Sequence, residues 1–441
     1  MRSGRLKAAA ILLCAGMLLP ALRLSAAEKE KTMIEAGKDY SFMNCDTGRV
    51  IRAGDTEYFS LEAADGGYYL TDSAGFYFRI DSGSLRQSEI KQKLIITGHQ
   101  RGRFTISTAD GKYITDDDSG ESSAAALKTA GQAKYIEAYW YLTAKGEPAP
   151  LKIMPLGDSL TNGENADIPA EERCGYRKLL SSLIAENAPE LRFVFVGSQK
   201  SGGTAYGNSA ALFRHEGHNG YVINDIYGKA PPHYGIAQNI DPWLKKYQPD
   251  AVFMMLGTND IGLSFESGDL SMIDRISENW ELLAKTVLKA LPDGGMLIAG
   301  AVPPIRNGEI FNAWAKKLNS NLIKLSKSLD SDRKEVVFAD INTAVNENGL
   351  ADSFCSDGGH FNEAGYTAVG NAFYKAFASS ATYDRMTASG TPESSENSTE
   401  NDTSETTEPK KNGSALRIAL GAVGAAAVIG IVISCVRKKK R

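Results

Sequence analysis

Lys152-Ile153-Met154-Pro155-Leu156-Gly157-Asp158-Ser159-Leu160-Thr161 joins a mostly apolar run to a Gly-Asp-Ser turn. A short buried strand ending in such a turn presents one hydroxyl at the carboxyl edge of a sheet, where open α/β folds keep their ligands. Ser159 is therefore the candidate nucleophile. Outward from this stretch, apolar runs alternate with amphipathic ones. Strands are expected over 151–156, 192–196, 251–256, 296–302 and 336–339, and helices over 176–186, 236–246, 271–291, 310–329 and 364–377. Continuous apolar strands separated by amphipathic helices imply a parallel sheet covered on both faces, a doubly wound α/β domain over 147–383.

In such a sheet the loops that follow the strands gather at one edge. Gly257-Thr258-Asn259-Asp260 follows the strand at 251–256 and brings an amide to the edge that holds Ser159. Asp357-Gly358-Gly359-His360 places a carboxylate and an imidazole on one loop, and its glycines allow a tight fold. A serine hydroxyl is unreactive at neutral pH and needs a general base as it attacks an acyl carbon. His360 is expected to be that base, with Asp357 fixing its tautomer. Three donors are expected for the oxyanion: the backbone N–H groups of Ser159 and Gly220 and the side-chain amide of Asn259. Gly217 is the alternative to Gly220. Asp158 adjoins the serine but is expected to brace the turn, since adjacent side chains at a strand end point apart.

Gly157-Asp158-Ser159, the loop His215-Glu216-Gly217-His218-Asn219-Gly220-Tyr221, Gly257-Thr258-Asn259-Asp260 and Asp357-Gly358-Gly359-His360 resemble the four blocks of the SGNH (GDSL) hydrolase superfamily, in order, over about residues 151–380. Gly175-Tyr176-Arg177, Phe195-Val196-Gly197-Ser198 and Arg214-His215-Glu216-Gly217-His218 bring the resemblance closest to carbohydrate esterase family 3, whose members include secreted acetyl xylan esterases. The resemblance implies a flavodoxin-like, five-stranded sheet and deacetylation of plant polysaccharide, with no metal or organic cofactor. Asn219 and Tyr221 stand where such enzymes usually have Pro and Trp, and Phe361 stands where Pro usually follows the histidine. His215 and His218 lack the helical His-Glu-x-x-His zinc spacing, so loop hydrogen bonding is expected of them.

Residues 28–146 read as all-β, with short alternating runs and Asp/Gly turns. Tyr40-Ser41-Phe42, Phe59-Ser60-Leu61 and Phe104-Thr105-Ile106 each lead through such a turn into a second strand, a repeated hairpin. These repeats resemble the β-trefoil domains found on secreted carbohydrate-active proteins. Carbohydrate binding is an expectation for this domain, although its aromatic residues are more simply read as core. Gly146-Glu147-Pro148-Ala149-Pro150 is a breaker-rich link to the second domain.

The ends carry their own signals. Arg2, Arg5 and Lys7 precede an apolar run and a small-residue stretch, which read as a signal peptide over 1–27. Residues 384–413, rich in Ser, Thr and Glu, are expected to form a disordered stalk. The uncharged span 418–436, followed by the basic tail 437–441, predicts a membrane-spanning helix over 414–436, with the catalytic domain tethered outside the cell. The chain has 441 residues and a formal net charge of -4, and no basic stripe marks it as a nucleic-acid binder. Cys45, Cys174 and Cys355 lie outside these end segments. Either Cys174 pairs with Cys355 or all three are unpaired.

Together these signals predict a surface serine esterase that removes O-acetyl groups from polysaccharide. Two other readings remain open at this point. One is a carbohydrate-binding protein with an inactive hydrolase fold. The other is an esterase acting on lysophospholipid or on bacterial cell-wall O-acetyl groups.

Overall fold

A computed structural model describes residues 34–133, 136–202, 214–225, 234–264 and 268–388. Its N-terminal part is a β-barrel built from β1 (Asp39–Asn44), β2 (Phe59–Ala64), β3 (Gly67–Thr71), β4 (Tyr77–Asp81), β5 (Ser84–Ser88), β6 (Leu94–Gly98), β7 (Arg103–Thr108), β8 (Tyr113–Asp116), β9 (Leu127–Ala130) and β10 (Tyr139–Ala144). Antiparallel pairing runs β1-β2-β3-β6-β7-β10 and returns to β1, closing a ring. The β4–β5 hairpin extends from β3, and β8–β9 extends from β7. Local chemistry sets these hairpins. Ser82 (φ 50°) and Gly83 (φ 83°) join β4 to β5 with both central residues left-handed, the geometry that follows strand twist. The repeat aromatics go inward: Phe42, Phe59, Phe78, Phe104 and Trp140 form the barrel core. The Trp140 indole N–H donates to the Ile114 carbonyl at 3.0 Å.

The second part is an α/β layer structure. Its strands are β11 (Leu151–Gly157), β12 (Phe193–Phe195), β13 (Gln199–Lys200), β14 (Arg214–Gly217), β15 (Ala251–Met255), β16 (Met296–Gly300) and β17 (Glu335–Ala339). Five of them run parallel in the order β12-β11-β15-β16-β17, and β14 is a sixth parallel strand, paired with β11. The sheet has seven strands rather than the expected five. β12 pairs only with the start of β11, so Leu156 and Gly157 at its end are free to pair with Glu216 and Gly217 of β14, which β13 joins antiparallel.

The helices are α1 (Ser159–Asn162), α2 (Arg177–Asn187), α3 (Ile240–Tyr247), α4 (Thr258–Ser264), α5 (Ser271–Ala290), α6 (Glu309–Leu329), α7 (Ile341–Asn348), α8 (Leu350–Ser353), α9 (Glu363–Ala378) and α10 (Ala381–Ala388). Strand side chains alternate between faces. Ile153, Phe253 and Ile298 pack with α2, α7 and α9, whereas Met154, Val252, Met254 and Leu297 pack with α3, α5 and α6. Both faces are thereby covered, and the loops after β11, β15 and β17 share one edge.

Barrel and sheet are not beads on a linker; they lie in one compact unit. Met43, Cys45, Val50 and Tyr141 of the barrel belong to the same buried cluster as Met154, Val194 and Val196 of the sheet. Each large apolar side chain fully buried in this way is worth about 1.5–3 kcal/mol, so separating the two parts would expose a substantial shared core. Gly48 (φ 68°) makes the contact close, since a Cβ there would meet Val196. Arg192 crosses the junction to donate to the Leu142 and Pro148 carbonyls.

Several expectations need correction. No helix among the described residues is long and apolar enough to cross a membrane, and 414–436 lies outside those residues. The C-terminal transmembrane helix therefore leaves the fold description, and the anchored location that rested on it goes with it. The signal peptide at 1–27 and the stalk from 389 onward also fall outside the described residues. The stalk's first positions are helical, because α10 continues to Ala388. Cys45, Cys174 and Cys355 are all free, so the Cys174–Cys355 bridge is not formed.

Candidate active site

β11 delivers its turn to the sheet edge with little freedom. A side chain at Gly157 would collide with Thr161 and with the Met255 carbonyl, so only glycine lets β11 and β15 close up here. Asp158 caps α1: its Oδ1 accepts the Leu160 N–H at 2.9 Å. Ser159 opens that helix and is half-buried.

The histidine loop is shaped from within. Gly358 (φ 73°) takes the left-handed turn, and the Cys355 N–H donates to the His360 carbonyl at 2.9 Å. Phe361 is buried against Phe354 and Tyr366, which anchors the loop. Asn362 then caps α9 through the N–H groups of Ala364 and Gly365.

This places His360 Nε2 2.9 Å from Ser159 Oγ and His360 Nδ1 2.7 Å from Asp357 Oδ2. Asp357 Oδ1 meanwhile accepts the backbone N–H groups of Gly359 (2.9 Å) and His360 (2.8 Å) and the Cys355 thiol (3.3 Å). Partial burial pushes the Asp357 pKa upward, but the His360 N–H, its imidazole and the Gly359 N–H outweigh that, leaving the carboxyl well below the usual range. It is a carboxylate at neutral pH, so Nδ1 carries a proton toward it and Nε2 is left to accept from the serine hydroxyl.

β14 leads to the next loop. The His218 N–H donates to the Gly157 carbonyl at 3.0 Å, and Gly220 follows with φ 77°. Gly217, the alternative donor, has its N–H committed to His215 Nδ1 at 3.0 Å. Asn259, at the start of α4, donates one amide N–H to the Tyr221 carbonyl at 2.9 Å, which ties the two donor loops together. An amide has a second N–H to offer.

His215 and His218 brace this region. His215 is fully buried, and burial together with the nearby Arg177 charge pulls its pKa well down; its Nε2 meets Ser201 Oγ at 2.9 Å. The His218 ring stacks on Trp243 (4.5 Å between centroids) and Tyr221 (4.7 Å), and its Nε2 meets Glu216 at 2.8 Å. Trp243 is a neighbour that sequence reading passes over, since it sits unremarked on an amphipathic helix.

Asp158 stands apart from the relay. Its Oδ2 is buried without a hydrogen-bond partner, and burial, opposed only in part by the Leu160 N–H and the His360 charge, raises its pKa to about 6. Because the folded value exceeds the ordinary 3.8, the folded protein holds this proton more tightly than the unfolded chain does. Stability from this group is complete below about pH 4 and is lost as pH rises through about 6. Asp158→Asn keeps the capping oxygen and removes the titration. Its melting temperature should gain on wild type from pH 4 to 7, with a full effect of about 3 kcal/mol. A difference in melting temperature that stays constant with pH would contradict this.

Comparison with known proteins shows likeness to relatives, to a solved structure and to a family profile. Over 232 residues, the chain is 27% identical to a multidomain esterase of Ruminococcus flavefaciens, covering 50% of this chain and 27% of that one. Over 140 residues it is 25% identical to a putative endoglucanase X of Acetivibrio thermocellus, covering 32% and 55%. The chain thus spans about a quarter and about half of these relatives' lengths. Among solved structures, a Clostridium thermocellum family 3 carbohydrate esterase is 25% identical, with 55% of this chain and 100% of that one covered at a TM-score of 0.40. The profile of the GDSL-like lipase/acylhydrolase family matches residues 153–373, half of the chain. The chain belongs to the GDSL-like lipase/acylhydrolase family, whose profile covers residues 153–373.

Proposed function

We propose that this protein is a serine esterase that removes O-acetyl groups from polysaccharide through an acyl-enzyme. The observation that carries this reading is the relay in which one imidazole lies 2.9 Å from Ser159 Oγ and 2.7 Å from the Asp357 carboxylate. Ser159 Oγ attacks the acetyl carbonyl while His360 Nε2 takes its proton. The imidazolium so formed is stabilised by Asp357. Charge on the carbonyl oxygen is met by the N–H groups of Ser159 and Gly220 and by the Asn259 amide. His360 then gives its proton to the departing sugar hydroxyl. A water that loses its proton to the same nitrogen releases acetate and restores the serine.

Asn259 tests the oxyanion assignment. Its amide would be worth more to the transition state than to bound ester, so Asn259→Ala should lower kcat about 10²–10³-fold with KM little changed. A rise in KM at constant kcat would assign the amide to ground-state binding instead.

An acetylated carbohydrate is the substrate class supported by the resemblance of Gly175-Tyr176-Arg177, Phe195-Val196-Gly197-Ser198 and Arg214-His215-Glu216-Gly217-His218 to carbohydrate esterase family 3 and by a relative named an esterase. The decisive assay offers the purified protein acetylated xylan, other acetylated glycans, O-acetylated bacterial wall and long-chain esters, with Ser159→Ala as control. Acetate release from an acetylated plant glycan is expected. Preference for lysophospholipid or wall material would replace the substrate and keep the chemistry, and glycan binding without hydrolysis would overturn the enzyme reading.

A further inference from the structure

The junction between barrel and sheet holds a buried set of charges that the chemistry above does not use. Arg214, the first residue of β14, is buried. Its Nε and one terminal nitrogen donate to the two oxygens of Asp46 at 2.8 and 2.7 Å, and the other terminal nitrogen donates to Asp118 Oδ2 (2.7 Å) and to the Gly197 carbonyl (3.0 Å). Asp46 and Asp118 both belong to the barrel. Lys200 adds a contact to Asp46 at 3.0 Å, and Lys246 adds one to Asp118 at 2.9 Å. Arg49, itself buried, pairs with Asp116 and donates to the Ser119 and Ser122 carbonyls, which fixes the loop that carries Asp118.

β14 needs such a hold. It pairs with β11 through Glu216 and Gly217 only, and with the two residues of β13 on its other side. A strand so thinly laddered owes its position largely to its side chains. Of these, Arg214 carries the longest reach, since a fork held by two carboxylates fixes direction as well as distance. The same strand runs directly into Gly217, His218 and Gly220.

We infer that the barrel is a positioning element of the active site: Asp46 and Asp118 grip Arg214 and thereby set where β14 and the Gly220 loop stand. The inference places the barrel within the esterase rather than beside it as a detachable glycan module. Burial alone would raise the Asp46 pKa, yet the guanidinium of Arg214 and the Lys200 ammonium bring it below the ordinary value, so the grip is ionic at neutral pH. Asp46, Asp118 and Arg214 are positioning residues, and the catalytic part of this inference rests on the esterase reading above.

The test uses Asp46→Asn and Asp118→Asn in the full chain. Both remove charge at constant shape, and Asp118 has φ 58°, a conformation asparagine accepts, so the second variant guards against a failure of the first to fold. Trp140→Phe, a barrel-core substitution that touches none of the charged side chains' hydrogen bonds, is the control for general destabilisation. Amide hydrogen exchange should lose protection over 214–221 in both Asn variants while β15 and β16 keep theirs. On an activated acetyl ester, kcat should fall about 10- to 100-fold with KM unchanged, as expected when an oxyanion donor is displaced by a fraction of an ångström to about 1 Å. Trp140→Phe should melt earlier yet keep its kcat below the melting range. Unchanged exchange over 214–221, or lost protection there with wild-type kcat, overturns the inference. A wild-type protein inactive on every ester overturns the esterase reading alone, and the exchange result then decides the grip.

Discussion

Ser159→Ala is expected to lower kcat on an activated acetyl ester by about 10⁶-fold while the protein stays folded. The size follows from what is removed. The hydroxyl oxygen is the atom that His360 Nε2 faces at 2.9 Å, whereas the other hydroxyl on the turn at 157–161, that of Thr161, is buried toward Tyr176. The fold is spared because the cap of α1 is the Asp158 carboxylate, and the Gly163 N–H that closes the helix bonds to the Ser159 backbone carbonyl. Residual hydrolysis would come from the oxyanion donors polarising an ester toward water. Steady-state rates beside a melting curve check this, and loss of no more than about tenfold would mean that another nucleophile does the work.

Asp357→Asn is expected to lower kcat about 10⁴-fold, because it would force the imidazole into the wrong tautomer. Asp357 Oδ1 already receives two backbone N–H groups. An asparagine must keep its carbonyl oxygen there and turn its NH₂ toward His360 Nδ1. A donor then faces a donor unless Nδ1 gives up its proton, which moves to Nε2 and aims an N–H at the serine instead of a lone pair. The loss should appear in kcat more than in KM, and His360 should remain in place. A small loss, within about tenfold, would mean that the carboxylate does not set the tautomer.

The path from residues to site explains what sequence could and could not reveal. The five parallel strands are legible because each is an apolar run bounded by breakers, and buried parallel strands read that way. Ser159, Asp357 and His360 stand out because glycines frame each of them, and glycine marks places where backbone must turn or approach closely. β14 escapes the same reading. Arg214, His215 and Glu216 look like a solvated loop, yet all three are fully buried, each satisfied by a partner distant in sequence. Hydrophobic periodicity does not register a strand whose burial is ionic and hydrogen-bonded.

Contact across the link at 146–150 is hidden from sequence for a related reason. Gly146-Glu147-Pro148-Ala149-Pro150 breaks regular structure locally, but whether two parts share a core depends on side chains such as Met43 and Val194 meeting across it. The short helices α1 and α4 escape periodicity because four and seven residues are too few to show an apolar stripe.

The central claim is that distant loops converge to make Ser159 an acyl carrier. Quenching the protein in acid during turnover of an acetyl ester, followed by peptide mass analysis, tests it most directly. The account predicts one acetyl group on Ser159, absent from Ser159→Ala and accumulating when a slower-leaving acyl group is used. Turnover with no acyl group ever found on that serine, or with the group on another residue, would contradict it.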